Sequence, residues 1–246
     1  MELVEERISD GRVLELLERM LKQGILDGLT EWTPEEGTPQ GAVVSPLLAN
    51  LYLNPLDWLM QAHGLEMVRY ADDFVVLCRD QEQAGKALQE IRQWMEEAGL
   101  TLHPQKTRLV DMNEAKSCFE FLGYRFYRTK AGKMGHIPRS KSVKKLRETL
   151  KPMTKRSNGH SMEAIIARIN PVLRGWFGYF QHSPDWALAA VDSWVRGRLR
   201  AVLHKRHKGK GRCSERDRKK WPIRYFDALG IFNLSHARGA AYASLR

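Results

Sequence analysis

Two adjacent carboxylates, Asp72 and Asp73, interrupt the otherwise apolar and aromatic run VRYADDFVVLC (residues 68–78), with Arg69 just before them. Neighbouring carboxylates repel each other and resist burial unless a cation compensates them. At the tip of a hairpin they make a hard oxygen site, the kind Mg²⁺ prefers when it shares its shell with water and substrate phosphates. Phosphoryl transfer by two metal ions roughly 4 Å apart explains why such a site carries more than one carboxylate. Neighbouring residues of a flat strand point to opposite faces. At most one Asp is then a full ligand from a flat strand; a turn must redirect the other, or it supports the site without touching the metal. Taken by itself, the pair also reads as an ordinary Asp-Asp turn.

The surrounding sequence shows what has to position the pair. Residues 2–24 carry apolar residues at helical spacing, split at Gly11 and closed at Gly24. A Pro-, Gly- and Thr-rich loop leads to a helix with Ser45 as expected N-cap and Pro46 at its first position. Leu47, Leu48, Leu51, Leu56 and Leu59 are expected to face a core. Residues 68–78 read as a strand pair around ADD. Residues 80–99 read as an amphipathic helix with a stripe of Ala84, Ala87, Leu88, Ile91, Trp94, Met95 and Ala98, ended by Gly99. LTLHPQKTRLVDM (residues 100–112) and CFEFLGYRFYR (residues 118–128) read as two further strands. This order suggests an α+β layer, an antiparallel sheet with helices on one face. Beyond residue 137 the pattern is all-α. SVKKLRETL places Val143, Leu146 and Leu150 on one face, and the helix over residues 161–180 is expected to be interrupted at Pro171. The expected domains are residues 1–137 and 138–246.

Charge follows the same division. Residues 1–137 hold 15 Lys and Arg against 22 Asp and Glu, a balance of −7; residues 138–246 hold 25 against 7, a balance of +18. An acidic first part joined to a basic, aromatic-rich second part suggests that the second part binds a polyanion. Lys144, Lys145, Arg147, Lys151, Arg174, Lys205, Arg206, Lys208 and Lys210 are its candidate polyanion-binding residues. Trp176, Phe177, Tyr179 and Phe180 could stack bases, although the shared helical face of Trp176 and Phe180 favours a core role. HKRHKGKGRC, with His204, His207 and Cys213, has a faint metal look but no convincing fourth ligand. Three widely spaced cysteines argue against a disulfide framework and for an intracellular setting. No apolar run is long enough to cross a membrane, and residues 1–25 show no signal-peptide pattern, so no membrane partner is expected.

PQG, SPLLAN, YADD, KT and FLGYRF in that order, followed by RINPVLRGWFGYF, resemble the reverse transcriptases encoded by group II introns, which are also maturases. The resemblance covers nearly the whole chain. It implies a partial reverse-transcriptase palm followed by an all-α thumb or maturase region. Asp72 and Asp73 would be the catalytic, Mg²⁺-binding pair of a two-metal site. Tyr70 and Ala71 would lie beside the primer end. Pro39, Gln40 and Gly41 would line the nucleotide and template pocket, and Lys106 would approach the incoming triphosphate. Ala42 stands where the family is expected to carry Gly. The implied partners are group II intron RNA, an RNA template with its DNA primer, and deoxynucleotides, in a bacterial-type cytoplasm or an organelle.

The resemblance also implies a third carboxylate on a strand before PQG, and fingers before the palm. Residues 1–37 read instead as helices and a loop, and neither Asp10 nor Asp27 lies in an apolar strand. The expectation is a chain that begins after that strand, with room for a separately encoded N-terminal half among its partners. Two functions stay open: a fragment of an RNA-directed DNA polymerase and maturase, or a non-catalytic RNA-binding maturase that assists splicing.

Overall fold

A computed structural model describes residues 1–22, 25–27, 30–32 and 44–243, with side chains omitted at 25–27, 30–32 and 242. The chain forms two compact units, Met1–Asp111 and Met112–Arg246. Their border lies earlier in the chain than the expected 137/138 boundary.

In the first unit, α1 (Glu2–Glu5) and α2 (Gly11–Leu21) precede a short antiparallel pair, β1 (Ile25–Asp27) and β2 (Thr30–Trp32). Asp10 caps α2, its carboxylate accepting from the Arg12 N–H at 2.9 Å. Helix α3 (Ser45–Ala62) leads to the hairpin of β3 (Glu66–Tyr70) and β4 (Asp73–Leu77), and α4 (Gln81–Glu97) follows. The N-cap of α3 is Val44, not Ser45, which is the first helical residue. Leu53, Leu56 and Met60 of α3 meet Ala87, Ile91 and Met95 of α4, with Met67, Phe74 and Val76 of the hairpin packed against them. Of the expected α3 stripe, Leu56 is fully buried and Leu48, Leu51 and Leu59 half-buried, but Leu47 is 66% exposed. The α4 stripe is at least half-buried along its whole length, and Gly99 follows the helix at φ +66°.

Residues 100–112 do not form the expected strand. Pro104 has no N–H to donate to a ladder, and the Lys106 and Thr107 N–H groups turn back onto the His103 carbonyl.

In the second unit, residues 118–128 form a hairpin, not one strand. β5 (Cys118–Phe121) and β6 (Tyr124–Arg128) are joined by Leu122 at φ +46° and Gly123 at φ +79°. Two left-handed residues make the turn that matches natural strand twist. β7 (Met134–Pro138) completes a three-stranded antiparallel sheet in the order β5-β6-β7. The sheet order differs from a single continuous layer: the described strands form three small antiparallel sheets.

Helices α5 (Ser140–Met153), α6 (Met162–Phe180), α7 (Asp185–Arg206), α8 (Glu215–Lys220), α9 (Ile223–Ala228) and α10 (Leu234–Ala243) follow. Leu146, Leu150, Ile165, Ile169, Leu173, Leu188, Val195 and Phe226 form their core. Helix α6 runs on through Pro171 without the expected interruption. The neighbouring Asn170 is bound on both sides of its amide, donating to Gly230 O at 2.8 Å and accepting from the Phe232 N–H at 2.8 Å. The architecture is α+β, small antiparallel sheets followed by an all-α region.

Candidate functional site

The Asp pair sits where β3 turns into β4. Tyr70 pairs with Asp73 in the antiparallel register, so Ala71 and Asp72 alone make the turn. Ala71 takes φ +54°, a left-handed conformation that costs a non-glycine residue about 1 kcal/mol. A tight turn, not a flat strand, therefore carries Asp72, which is the redirection the adjacent pair requires. Asp72, Asp73 and Tyr70 are all exposed, Tyr70 at 68%.

The cation beside the pair serves another carboxylate. Arg69 makes a two-pronged ion pair with Asp57 of α3, Nε to Oδ1 at 2.8 Å and Nη2 to Oδ2 at 2.5 Å. Its Nη1 donates to Asn50 Oδ1 at 2.9 Å and to the carbonyl of Ala71 at 3.0 Å. Only 10% of the Arg69 side chain is exposed. Its hydrogen bonding to Asp57 raises the guanidinium pKa above its ordinary value. Asn50 and Asp57 were not singled out in the sequence. Their signal was the seven-residue spacing, which puts both on one face of a helix.

Asp72 and Asp73 offer hard oxygen donors suited to a divalent cation. Among the described residues, no further carboxylate, His or Cys converges on them into a larger ligand group. The residues present thus fit part of a metal shell. Pro39, Gln40, Gly41 and Ala42 lie outside the described residues. Lys106 is exposed in the turn after α4, and nothing described ties it to the Asp pair.

The basic candidates divide by environment. Lys144, Lys145 and Lys151 are exposed on α5, with Lys144 3.9 Å from Glu148. Arg147 is half-buried, its guanidinium over the Trp194 ring at 5.4 Å. Arg174 lies over Phe232 at 5.6 Å. Lys205, Lys208 and Lys210 are exposed, and Arg206 is bound to the carbonyls of Asn158 and His160. Phe177 and Phe180 are buried, Trp176 packs on Phe180 with centroids 4.6 Å apart, and Tyr179 remains 55% exposed. Tyr179 donates to the Leu122 carbonyl at 2.7 Å, and Tyr124 returns a hydrogen bond to the Tyr179 carbonyl at 2.7 Å.

The segment with the faint metal look brings His204 and Cys213 together with Asp217, which the sequence did not point to, and leaves His207 out. His204 Nδ1 lies 3.0 Å from Asp217 Oδ1, and Nε2 lies 3.2 Å from the Lys210 carbonyl. Asp217 also accepts from the Ser214 N–H at 2.6 Å, closing a capping box on α8. Hydrogen bonding to Asp217 raises the His204 pKa, while the Ser214 N–H and then His204 lower that of Asp217. Burial pushes the Cys213 thiol up. The His-Asp pair is thus satisfied as a staple between the end of α7 and the start of α8.

Residues 11–126 match the family described as reverse transcriptase (RNA-dependent DNA polymerase), and residues 143–221 match the group II intron maturase-specific domain. Protein YkfC of Escherichia coli is 29% identical over 166 residues, covering 53% of this chain and 43% of that protein. Group II intron-encoded protein LtrA of Lactococcus lactis is 42% identical over 55 residues, covering 22% of this chain and 9% of LtrA. An uncharacterized 91 kDa protein in a cob intron of Schizosaccharomyces pombe is 25% identical over 260 residues, covering 72% and 32% respectively. The chain spans less than half the length of each of these relatives. Reverse transcriptases generally use a divalent metal, in keeping with the exposed Asp pair. Among the described residues no helix is long and apolar enough to cross a membrane. The chain thus carries a reverse-transcriptase segment followed by a group II intron maturase-specific domain, with a group II intron-encoded protein among its relatives.

Proposed function

We propose that this chain is the palm-and-thumb part of an RNA-directed DNA polymerase and maturase of the group II intron type. Residues 1–137 act as the partial palm and residues 138–246 as the thumb and maturase region. The observation that carries the reading is the turn at Ala71 and Asp72, which lifts two exposed carboxylates out of a hairpin in a chain whose later half is a basic helical unit.

Asp72 and Asp73 are the ligands for Mg²⁺. Held there, the ion would make a primer 3′-hydroxyl easier to deprotonate and would offset charge developing on the α-phosphate. Ala71 keeps the turn small enough for a primer end to approach beside Tyr70. Lys106 meets the triphosphate. The partners are intron RNA, an RNA template with a DNA primer, and deoxynucleotides. Lys144, Lys145, Lys151, Lys205, Lys208 and Lys210 meet RNA phosphates, with Arg147, Arg174 and Arg206 supporting them from partly engaged positions.

Primer extension tests this directly. The purified chain is assayed with Mg²⁺, an RNA template and a DNA primer, alone and with a supplied N-terminal palm fragment. Loss of metal positioning costs on the order of a thousandfold in rate, so the chain alone is expected to be silent and the mixture active. Asp72→Ala should abolish the restored activity. Binding of intron RNA without extension in either format would favour the non-catalytic maturase instead.

A further inference from the structure

Arg69 is nearly buried, yet its charge is not spent on the adjacent Asp pair. Four of its hydrogen bonds are in place: two to Asp57, one to Asn50 and one to the Ala71 carbonyl. Three of these bonds run to α3, and the fourth reaches the residue that precedes Asp72. That residue also holds the left-handed backbone conformation of the turn. A left-handed alanine persists only where its surroundings over-determine it. The β3–β4 ladder ends at the pairing of Tyr70 with Asp73, so no ladder bond within the turn itself holds the Ala71 carbonyl.

We propose that Arg69 is a positioning residue for the metal-binding carboxylates. It ties the Ala71 carbonyl to Asn50 and Asp57, so that helix α3 sets the direction in which the turn presents Asp72. This rests on the reading of Asp72 and Asp73 as metal ligands. The planar guanidinium suits this geometry. It grips a carboxylate with two parallel bonds and still has an edge left for a carbonyl. Lysine keeps the charge but presents a single point of donors that cannot span Asp57, Asn50 and Ala71 together. Groups that orient metal ligands without touching the metal affect metal affinity by about ten- to a hundredfold in known sites.

The test uses the full chain with Mn²⁺ as a paramagnetic probe, read by broadening of backbone amide signals, together with amide hydrogen exchange. In the parent, Mn²⁺ should broaden the Asp72 and Asp73 amides, and Asp72→Asn should abolish this. In Arg69→Lys, exchange of the Asp72 and Asp73 amides should rise about tenfold, the size expected for one lost charged hydrogen bond. Mn²⁺ affinity should fall by about tenfold or more. Exchange at Val68 and Val75, inside the ladder, should stay near the parent's. Asn50→Ala, which leaves the Asp57 pair intact, should move the same two readouts in the same direction by less, and it decides the matter if Arg69→Lys fails to fold.

Unchanged turn exchange and Mn²⁺ affinity in both variants would overturn the proposal. A uniform rise through the whole ladder, with Mn²⁺ affinity unchanged, would also overturn it and leave Arg69 as a tie between helix and hairpin. Absence of Mn²⁺ broadening in the parent would overturn the metal reading itself. Turn exchange in the variants would then still report whether the clamp exists.

Discussion

Asp192, buried in the middle of α7, caps the start of α10: its carboxylate accepts from the Leu234 N–H at 3.0 Å and from the Ser235 N–H at 3.1 Å. A residue 42 positions earlier in the chain thus satisfies two backbone donors that a helix start otherwise leaves unpaired. The carboxylate also sits at the positive end of the α10 dipole. Nearby, the Asn170 amide holds the segment before α10 through Gly230 and Phe232. Both residues staple the last helix to the core of the basic unit.

Asp192→Ala is expected to cost about 2–3 kcal/mol, because it strands two N–H groups at a buried helix start. Thermal melts followed by helical circular dichroism measure this. Burial raises the Asp192 pKa against the opposing pull of the Leu234 and Ser235 N–H groups. A raised folded-state pKa means that its electrostatic contribution is full below the unfolded value near 3.9 and lost as pH rises through the folded value. Asp192→Asn should flatten that acid-side slope of stability against pH.

The His204–Asp217 staple should titrate on the other side. The folded His204 pKa is raised, first by its hydrogen bond to Asp217. Its contribution is present below the unfolded value near 6.5 and lost as pH rises through the folded one. The partner's pKa is lowered, so the Asp217 contribution is present above its unfolded value and lost as pH falls through the folded one. A melting temperature that declines from pH 6 to pH 8 in the parent, and declines less in His204→Gln, is the expected result. Equal slopes in both proteins would show that the pair carries none of the dependence.

Neutralising Lys144, Lys145 and Lys151 together should weaken RNA binding while leaving the fold intact. All three are exposed and outside the Leu146 and Leu150 face. Such changes alter stability by about half a kcal/mol or less each. Every RNA phosphate that is no longer neutralised should lower the log–log salt slope by about 0.7 to 0.9 units. Arg147 is different. Its stacking over Trp194 makes Arg147→Ala a stability change of about 0.5–1 kcal/mol as well. Filter binding at several salt concentrations, with melts in parallel, separates the two effects.

Asp72→Ala and Asp73→Ala should leave RNA affinity unchanged or slightly improved in the absence of divalent metal. Removing an exposed carboxylate near a polyanion removes repulsion and leaves the basic helices untouched. A marked loss of RNA affinity without metal would mean that the hairpin touches RNA directly.

Much of this protein is legible in its sequence because the governing patterns are local. The α4 stripe from Ala84 to Ala98 follows the helical period, and each of its residues is at least half-buried. The division of charge between the two parts is a property of composition. The Asp pair in an apolar run marked a hairpin tip, and the register places Asp72 in the turn. Local pattern was insufficient where one residue changes the meaning of a run. Leu122 and Gly123, both left-handed, fold what reads as one strand into a hairpin. Pro104, followed by a turn onto His103, removes a strand that apolar spacing suggested.

What only the tertiary structure decided is which polar group meets which. Arg69 stands three residues before Asp72, and sequence proximity suggests that it balances the pair. It binds Asp57 instead, because a strand directs that side chain toward α3, where two donors can close on one carboxylate. Asp192 and Asn170 likewise read as polar residues in helical stretches, Asp217 as part of a basic loop, and their partners lie 42, 60 and 13 residues away. Helical periodicity assigns a residue to a face. Only packing brings a partner to that face, and the cost of leaving a buried charge or N–H unpaired then selects the pairing.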